Sequence, residues 1–421
     1  MDFIHSKNIL LLTRDTLKLF DSRPMKHGSR VAYILYKMMQ ASGGYEDFEM
    51  AEFAMLATLH DIGAYVTSDL DKPLSYETRD TLPHSIYGYL FLKYLSPFED
   101  RAKILLDHHI SFLELAELGE KDYIEITSFL SLAECVDVYH EALGDSFKVS
   151  SFRPFEGKKF SRQALDILDK TIDEKEIFES LATEEHEQEL SELMDNIMFT
   201  NEEKKRYMEM IMFCLGFRSK MKVQDTATCI SICMQLANAM SLDQRTQEIL
   251  YYGALIHDIG MLSIPKDIIE SGRKLTEEEI DLMQGHVGVT RDILSSRFDA
   301  VAVEIAARHH ERCNGSGYPD GLKSGEMTVP EKILQIADAV TGMINDRPYR
   351  KGMSNEVVHK ILTEDTSKRV FDPEIMKRFF AEFDGILEIA RQQGTESLTP
   401  NAKLDARYEK LQKAMAIVKK K

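Results

Sequence analysis

The tetrapeptide HDIG occurs twice in this chain, within LATLHDIGAYV (residues 56–66) and ALIHDIGMLSI (residues 254–264). Ahead of each copy the small and apolar residues keep helical spacing. Phe53, Leu56, Ala57 and His60 fall at i, i+3, i+4 and i+7, and Leu250, Gly253, Ala254 and His257 repeat the pattern. A stripe with that period is the buried face of an amphipathic helix, so each helix delivers its histidine inward. Gly63 and Gly260, three residues further on, are where the helix C-terminus is expected to turn. Almost every other periodic segment is helical in spacing and strand signals are scarce. The expected class is all-α: two tandem helical bundles joined by a helical connector.

Working outward, the second copy carries helix-start signatures at Thr276 with Glu279, a capping box, and at Asp372-Pro373, an N-cap followed by a first-turn proline. Comparison of KKFSRQALDIL near Ser161 with KRVFDPEIMKRF suggests that both ends of one unit are duplicated. The boundaries that follow are a leader over 1–24, a first bundle over 25–170, an acidic helical connector over 171–220, a second bundle over 221–385 and a helical tail over 386–421. The tail ends in ARYEKLQKAMAIVKKK, basic and amphipathic, and reads as a solvated helical end.

With 421 residues the chain has room for two domains of the usual roughly 100–200 residues. Apolar residues make up 43% and charged residues 29%, the balance of a globular chain. A formal charge of −18 excludes a large, diffuse hold on nucleic acid, which depends on Lys and Arg. The five cysteines, Cys135, Cys214, Cys229, Cys233 and Cys313, are odd in number and form no CxxC pair. They read as reduced core residues, not as a disulfide framework or a thiolate zinc site. No apolar run approaches the roughly 18 residues of a membrane span, and the start lacks the basic region and cleavage site of a signal peptide, so the expected compartment is the cytoplasm.

Nine of the 13 histidines fall into two series of matching order. The first runs His27, His60-Asp61, His84, His108-His109 and then Glu134; the second runs Asp225, His257-Asp258, His286, His309-His310 and then Asp338. A single histidine on an apolar helix face is ordinarily a hydrogen-bonded core residue. Imidazoles and carboxylates recurring in one order over several helices point instead to divalent transition metals, which accept mixed nitrogen and oxygen donors: Fe or Mn by preference, with Zn, Co or Ni as alternatives.

This ligand order is the signature of the HD phosphohydrolase superfamily, which both copies resemble. The second copy goes further: HHERCNGSGYPDGL (309–322), followed by KILQIADAV and NDRPYRKG, resembles an HD-GYP domain over about 160 residues. The resemblance implies an α-helical bundle holding two or three metals that hydrolyses cyclic dinucleotides such as cyclic di-GMP or cyclic GMP-AMP. Two ions per occupied site are expected, bridged by Asp61 or Asp258, the candidate catalytic carboxylates. Paired cations acidify a water, aim it at phosphorus and offset charge on the phosphoryl oxygens.

In the loop, Gly315, Gly317 and Gly321 allow backbone to approach a ligand, while Pro319 and Asp320-Gly321 set turns. Gly317, Tyr318 and Pro319 are the candidate substrate-binding residues there. Arg347 and Arg350 of RPYR offer planar forks for phosphate or guanine, and the resemblance implies Arg347 as the phosphate contact. The copies depart from the pattern in complementary ways. The first has Glu134 in place of the usual Asp, keeps Asp137 three residues on, and has no GYP loop after His108-His109. The second has Asp225 for the first His, Met221 one turn before it, and Thr341 for the second Asp. Both lack the lysine that usually follows HDIG, with Ala64 and Met261 in its place.

The leading expectation is thus a metal-dependent cyclic-dinucleotide phosphodiesterase, with a homodimer and a signalling protein as further partners. One alternative is an eroded receptor or scaffold that binds a cyclic dinucleotide without cleaving it. Another places hydrolysis of a different phosphate ester in the first copy, whose ligand series is complete.

Overall fold

The computed structural model describes residues 4–67, 82–119, 123–171 and 174–418. They form α-helices and short 3₁₀ turns, with three isolated bridges and no strand among the described residues, so the chain is all-α. No helix among them is long and apolar enough to cross a membrane. All five cysteines are buried thiols.

The chain forms two compact units, and each takes in a piece from the far end of the sequence. The unit containing His60 comprises Asp21–Tyr207 with Lys403–Lys421; the unit containing His257 comprises Met208–Ala402 with Met1–Phe20. The leader and tail expected over 1–24 and 386–421 are therefore each divided. The Ser6–Phe20 helix buries Ile9, Leu12 and Leu17 completely and packs beside the turn that follows His257. The amide of Asn8 reaches the Arg297 carbonyl at 3.0 Å, and Asp15 pairs with the Arg297 guanidinium. In the Thr399–Val418 helix, Arg407 lies over the Tyr94 ring at 3.9 Å and Tyr408 meets Tyr87 edge-on at 5.8 Å. These aromatic contacts seat a helix that its charges alone had suggested was solvated; its three terminal lysines lie outside the described residues. The connector expected over 171–220 is likewise shared, the division falling between Tyr207 and Met208.

Five helices carry the ligand series in each unit, in the same order. In the His60 unit they are Ser22–Ser42, Asp47–Thr58, Leu82–Leu95, Lys103–Asp107 and Ile124–Leu143. In the His257 unit they are Lys220–Ala239, Gln244–Ile256, Glu277–Leu294, Ala300–Ala307 and Val329–Ile344. The capping residues read from the sequence are in place: Thr276 and Glu279 bond reciprocally, and Asp372 accepts from the Glu374 amide ahead of the helix that begins at Pro373.

The glycines of HDIG act differently from the expected helix caps. The Asp47–Thr58 helix ends two residues before His60, and Gly63 and Gly260 lie inside 3₁₀ turns without positive φ. What they supply is proximity. A Cβ on Gly63 would sit 2.0 Å from the His84 carbonyl oxygen, and one on Gly260 would sit 2.1 Å from that of His286. Only hydrogen fits where the turn meets the helix bearing the next ligand. Gly28 does the same for the helix that carries His27, with a Cβ 2.2 Å from the Thr58 carbonyl oxygen. The second copy has Thr226 at that position.

Candidate metal centres

The histidines are oriented before any ion arrives. Nδ1 of His60 lies 2.7 Å from the Ala57 carbonyl, His108 2.7 Å from that of Leu105, His257 2.7 Å from that of Ala254 and His309 2.6 Å from that of Ala306. Each carbonyl is three residues back, at a helix end where the regular ladder of amide donors runs out and a ring N–H can be taken up. A carbonyl can only accept, so Nδ1 carries the hydrogen and Nε2 presents its lone pair, the form in which imidazole binds a metal. His286 is held the same way by the Met283 carbonyl at 2.6 Å.

In the His60 unit the rings converge as two groups: His27 with His60 and Glu134, and Asp61 with His84, His108 and His109. Within each group the donor atoms lie within 4.8 Å of one another. Asp61 joins them, its Oδ2 3.8 Å from His60 Nε2 and its Oδ1 3.3 Å from His84 Nε2. Nε2 of His84 and of His109 are 3.0 Å apart, the separation of neighbouring ligands around one cation at bonds of roughly 2.0–2.1 Å. Nε2 of His27, His60 and His108 are buried without a hydrogen-bond partner. Leaving such a group unsatisfied costs about 1–3 kcal/mol, so three together mark a place built for something electropositive. The donor set fits two divalent ions.

Support behind these donors is equally directed. Asp137 accepts from His27 Nδ1 at 2.7 Å and is itself held by Arg30 through Nε at 2.6 Å and Nη2 at 2.9 Å. Burial opposes a charge on His27, but the Asp137 hydrogen bond and carboxylate outweigh it and raise its pKa above 6.5. Burial lowers His108 well below the usual histidine range, and lowers His60 to about 4 against the pull of Asp61. The unfolded chain thus takes up a proton near pH 6.5 that folded His60 refuses until about 4. Stability from this group is full above the upper value and is lost as pH falls across that window. We expect chelator-treated protein to melt at progressively lower temperature from pH 6.5 toward pH 4, and His60→Gln to flatten the dependence. Equal pH slopes in thermal denaturation would count against it.

The His257 unit shares the frame but groups its donors differently. His286, His309 and His310 form one ligand group, and His257, Asp258 and His309 another. His286 and His309 face each other with Nε2 atoms 3.2 Å apart, and Asp258 Oδ1 is 3.4 Å from His286 Nε2 and 3.9 Å from His309 Nε2. Asp338, expected to close the ligand series, lies 3.4 Å from His310 Nδ1 and belongs to neither group. Asp225 also stands outside both groups. Its Oδ1 accepts from Asn345 at 2.9 Å and its Oδ2 from Arg347 at 2.7 Å, so the expected ligand and the expected phosphate contact are bonded to each other.

Lys222, which the sequence reading passed over, reaches Asp258 Oδ2 at 3.0 Å. Burial works against its charge, yet Asp258 and Asp225 raise its pKa; burial also works against ionised Asp258, which Lys222 and the histidines hold well below the usual carboxylate range. The signal available beforehand was its place one helical turn before Asp225, on the same face.

The GYP loop is organised by a second residue the sequence reading missed. Fully buried Glu311 accepts from the amides of Asp320 at 2.6 Å and Gly321 at 3.1 Å with Oε1, and of Leu322 at 2.8 Å with Oε2. Gly317 has no room for a Cβ, which would lie 2.4 Å from the Arg312 nitrogen, and Gly315 and Gly321 take the left-handed backbone that favours glycine. The loop brings half-buried Tyr318 beside His310 with ring centroids 4.8 Å apart and leaves Pro319 exposed. Arg350, expected as a second fork for substrate, donates to the carbonyls of Gly342, Met343 and Lys351 and braces its own turn. Glu311→Ala strands three amides that a carboxylate had held, so a loss on the order of 3 kcal/mol is expected from bonds worth about 1.5–3 kcal/mol each with partial rehydration. A thermal midpoint unchanged from wild type would refute this role.

Helices that bring a duplicated His/Asp series to buried clusters define an HD fold. The chain belongs to the HD-domain family twice over: family models described as HD domain match residues 25–142 and 208–375. The 3'3'-cGAMP-specific phosphodiesterase 1 of Vibrio cholerae is 27% identical over 372 residues, covering 83% of this chain and 85% of that protein. The cyclic di-GMP phosphodiesterase response regulator RpfG of Xanthomonas campestris is 31% identical over 168 residues, 39% of this chain and 44% of its own. A cyclic di-GMP phosphodiesterase of Thermotoga maritima is 31% identical over 170 residues, 40% of this chain and 46% of its own. Among solved structures, a cyclic GMP-AMP specific phosphodiesterase of V. cholerae (V-cGAP3) superposes with a TM-score of 0.58 at 15% identity, covering 90% of this chain and 98% of that one. That likeness speaks for the fold.

Proposed function

We propose that this chain is a metal-dependent phosphodiesterase that hydrolyses cyclic dinucleotides, and that the His257 unit does the cleavage. The observation that carries this reading is the position of Tyr318 beside His310 on a loop gathered by Glu311, which sets an aromatic face at the edge of the ligand cluster. The names of the relatives in V. cholerae, X. campestris and T. maritima support the substrate class.

Divalent ions, Fe or Mn by the mixed donor set, supply when bound a water of lowered pKa and a counter-charge for the phosphoryl oxygens. The chain's own residues do the rest. His286, His309 and His310 stay neutral, and so able to ligate, because burial lowers all three. Asp258 supplies the carboxylate at the centre of the site, as Asp61 does in the other unit. Tyr318 offers a face on which a base can stack, an interaction of about 1–3 kcal/mol per base. Gly317 lets the loop close onto the backbone of Glu311 and Arg312, which holds Tyr318 in place. The deciding experiment loads the protein with Mn or Fe without oxygen and follows product release from 3',3'-cyclic GMP-AMP and cyclic di-GMP, with a chelator control. Absence of metal-dependent product from either substrate would defeat the reading, and binding without turnover would turn it into a receptor.

A second reading applies to the His60 unit. Its three unpartnered Nε2 atoms and paired ligand groups favour hydrolysis of another phosphate ester there. If so, His60→Ala removes activity on a simple phosphomonoester such as p-nitrophenyl phosphate and spares cleavage of the cyclic dinucleotide; loss of both together would speak against it.

A further inference from the structure

Four buried threonines in the helices of this chain make the same local bond. The hydroxyls of Thr13, Thr58, Thr226 and Thr228 each donate to the carbonyl four residues back in their own helix, at 2.8–3.0 Å. That is the ordinary way in which a helical threonine satisfies its polar atom. Thr290, completely buried on the Glu277–Leu294 helix, directs its hydroxyl elsewhere. It donates to the His257 carbonyl at 3.2 Å, 33 residues away in sequence, and accepts from the Gly260 amide at 3.0 Å, 30 residues away. Those two partners are the first and last residues of the second HDIG.

The tie joins two ligand-bearing segments. Thr290 stands one helical turn after His286, whose carbonyl oxygen is the atom that a Cβ on Gly260 would strike. A hydroxyl has one hydrogen and two lone pairs, so this single group holds a carbonyl and an amide at once. His257 is thereby fixed twice, its ring through Nδ1 on the Ala254 carbonyl at 2.7 Å and its own carbonyl by Thr290. Asp258, between the two tied residues, keeps Oδ1 3.4 Å from His286 Nε2. The frame itself does not call for threonine here. Four residues after His84, the corresponding place in the His60 unit, the chain has Gly88, and the same order of helices is built around it. A buried hydroxyl sent across to the turn that carries two candidate ligands belongs to the centre more than to its helix.

We propose that Thr290 is a positioning residue for the metal centre of the His257 unit: it locks the HDIG turn to the helix of His286, so that His257, Asp258 and His286 stay together before an ion binds. The inference rests on the metal-dependent part of the function proposed above. Ligands ordered in advance lose less freedom when an ion arrives, so the centre binds more tightly than one whose turn drifts from the helix. Thr290 touches no ion and no substrate in this role; it acts through the backbone at both ends of the tetrapeptide.

The test is metal affinity, measured on the full chain carrying His60→Ala and His84→Ala so that the His60 centre is dismantled. Thr290→Val keeps the shape and removes the hydroxyl; its Mn(II) dissociation constant, read from the electron paramagnetic resonance signal of the free ion, is expected to rise by roughly 10–100-fold. Thr290→Ser restores the hydroxyl and is expected to bind close to the parent. Leu294→Ala opens a cavity one turn further along the same helix and serves as the control for plain destabilisation: its melting midpoint is expected to fall while its Mn(II) affinity is kept. Thr290→Val binding as tightly as the parent overturns the proposal, as does Thr290→Ser failing to the extent of Thr290→Val, Leu294→Ala losing affinity to that extent, or a parent that takes up no Mn(II). The expected shifts in a protein that cleaves no cyclic dinucleotide sink the functional reading alone, whereas metal-dependent cleavage with an unmoved dissociation constant sinks this inference alone.

Discussion

In the His309→Ala chain, cleavage of a cyclic dinucleotide is expected to fall by on the order of 10³-fold, more than the roughly 10–100-fold that losing an outer partner of a metal site costs. His309 belongs to both ligand groups of its unit, faces His286 at 3.2 Å between Nε2 atoms, and has its other nitrogen tied to the Ala306 carbonyl at 2.6 Å. No neighbour can take its place, because His286 and His310 already serve the same position. Its ring is fully buried, so removing it also opens a cavity. The turnover number and the ion content should therefore fall together while the helical circular dichroism persists. Wild-type turnover with a full complement of metal would show that cleavage lies elsewhere.

Gly260→Ala is expected to be among the most damaging conservative changes in the chain. Its new methyl would sit 2.1 Å from the His286 carbonyl oxygen and its backbone nitrogen would lose alignment with Thr290, to which it now donates at 3.0 Å. Backbone, not a flexible side chain, is in the way, so the turn carrying His257 and Asp258 must move off the helix carrying His286. Overpacking of this kind costs about 1–3 kcal/mol or more, and at the upper end the unit's melting midpoint should drop by roughly 6–12 °C. Because the two ligand-bearing segments separate, bound metal should be lost from this unit even in molecules that stay folded. Gly63→Ala should do the same to the His60 unit, where the gap to the His84 carbonyl oxygen is 2.0 Å. Either variant melting and loading metal as wild type would refute the close-approach role.

Much of this architecture was legible in one dimension. The period of Phe53, Leu56, Ala57 and His60 names a helix and its buried face, and the repeated order of histidines and carboxylates names two centres, because ligand chemistry and helical spacing are both local properties of the chain. Capping at Thr276 and Asp372 was legible for the same reason. Reading Gly63 and Gly260 as caps went astray because a glycine shows only that something is allowed; whether it is a left-handed turn or another backbone pressing close depends on the neighbour. Glu311 was hidden in plain view between the paired histidines and the glycine loop, since nothing in its spacing reveals that three amides nine to eleven residues later fold back onto it.

By itself the sequence determined an all-helical chain with two HD centres and a tyrosine-bearing glycine loop beside one of them. Only the tertiary structure decided which charges meet: that Arg347 faces Asp225, that Lys222 lies on Asp258, and that the terminal segments 1–20 and 403–421 each belong with the more distant unit. Helix period and donor type are written along the chain, whereas a long flexible cation finds its partner only after helices far apart in sequence have packed, and its choice is made by distance in space.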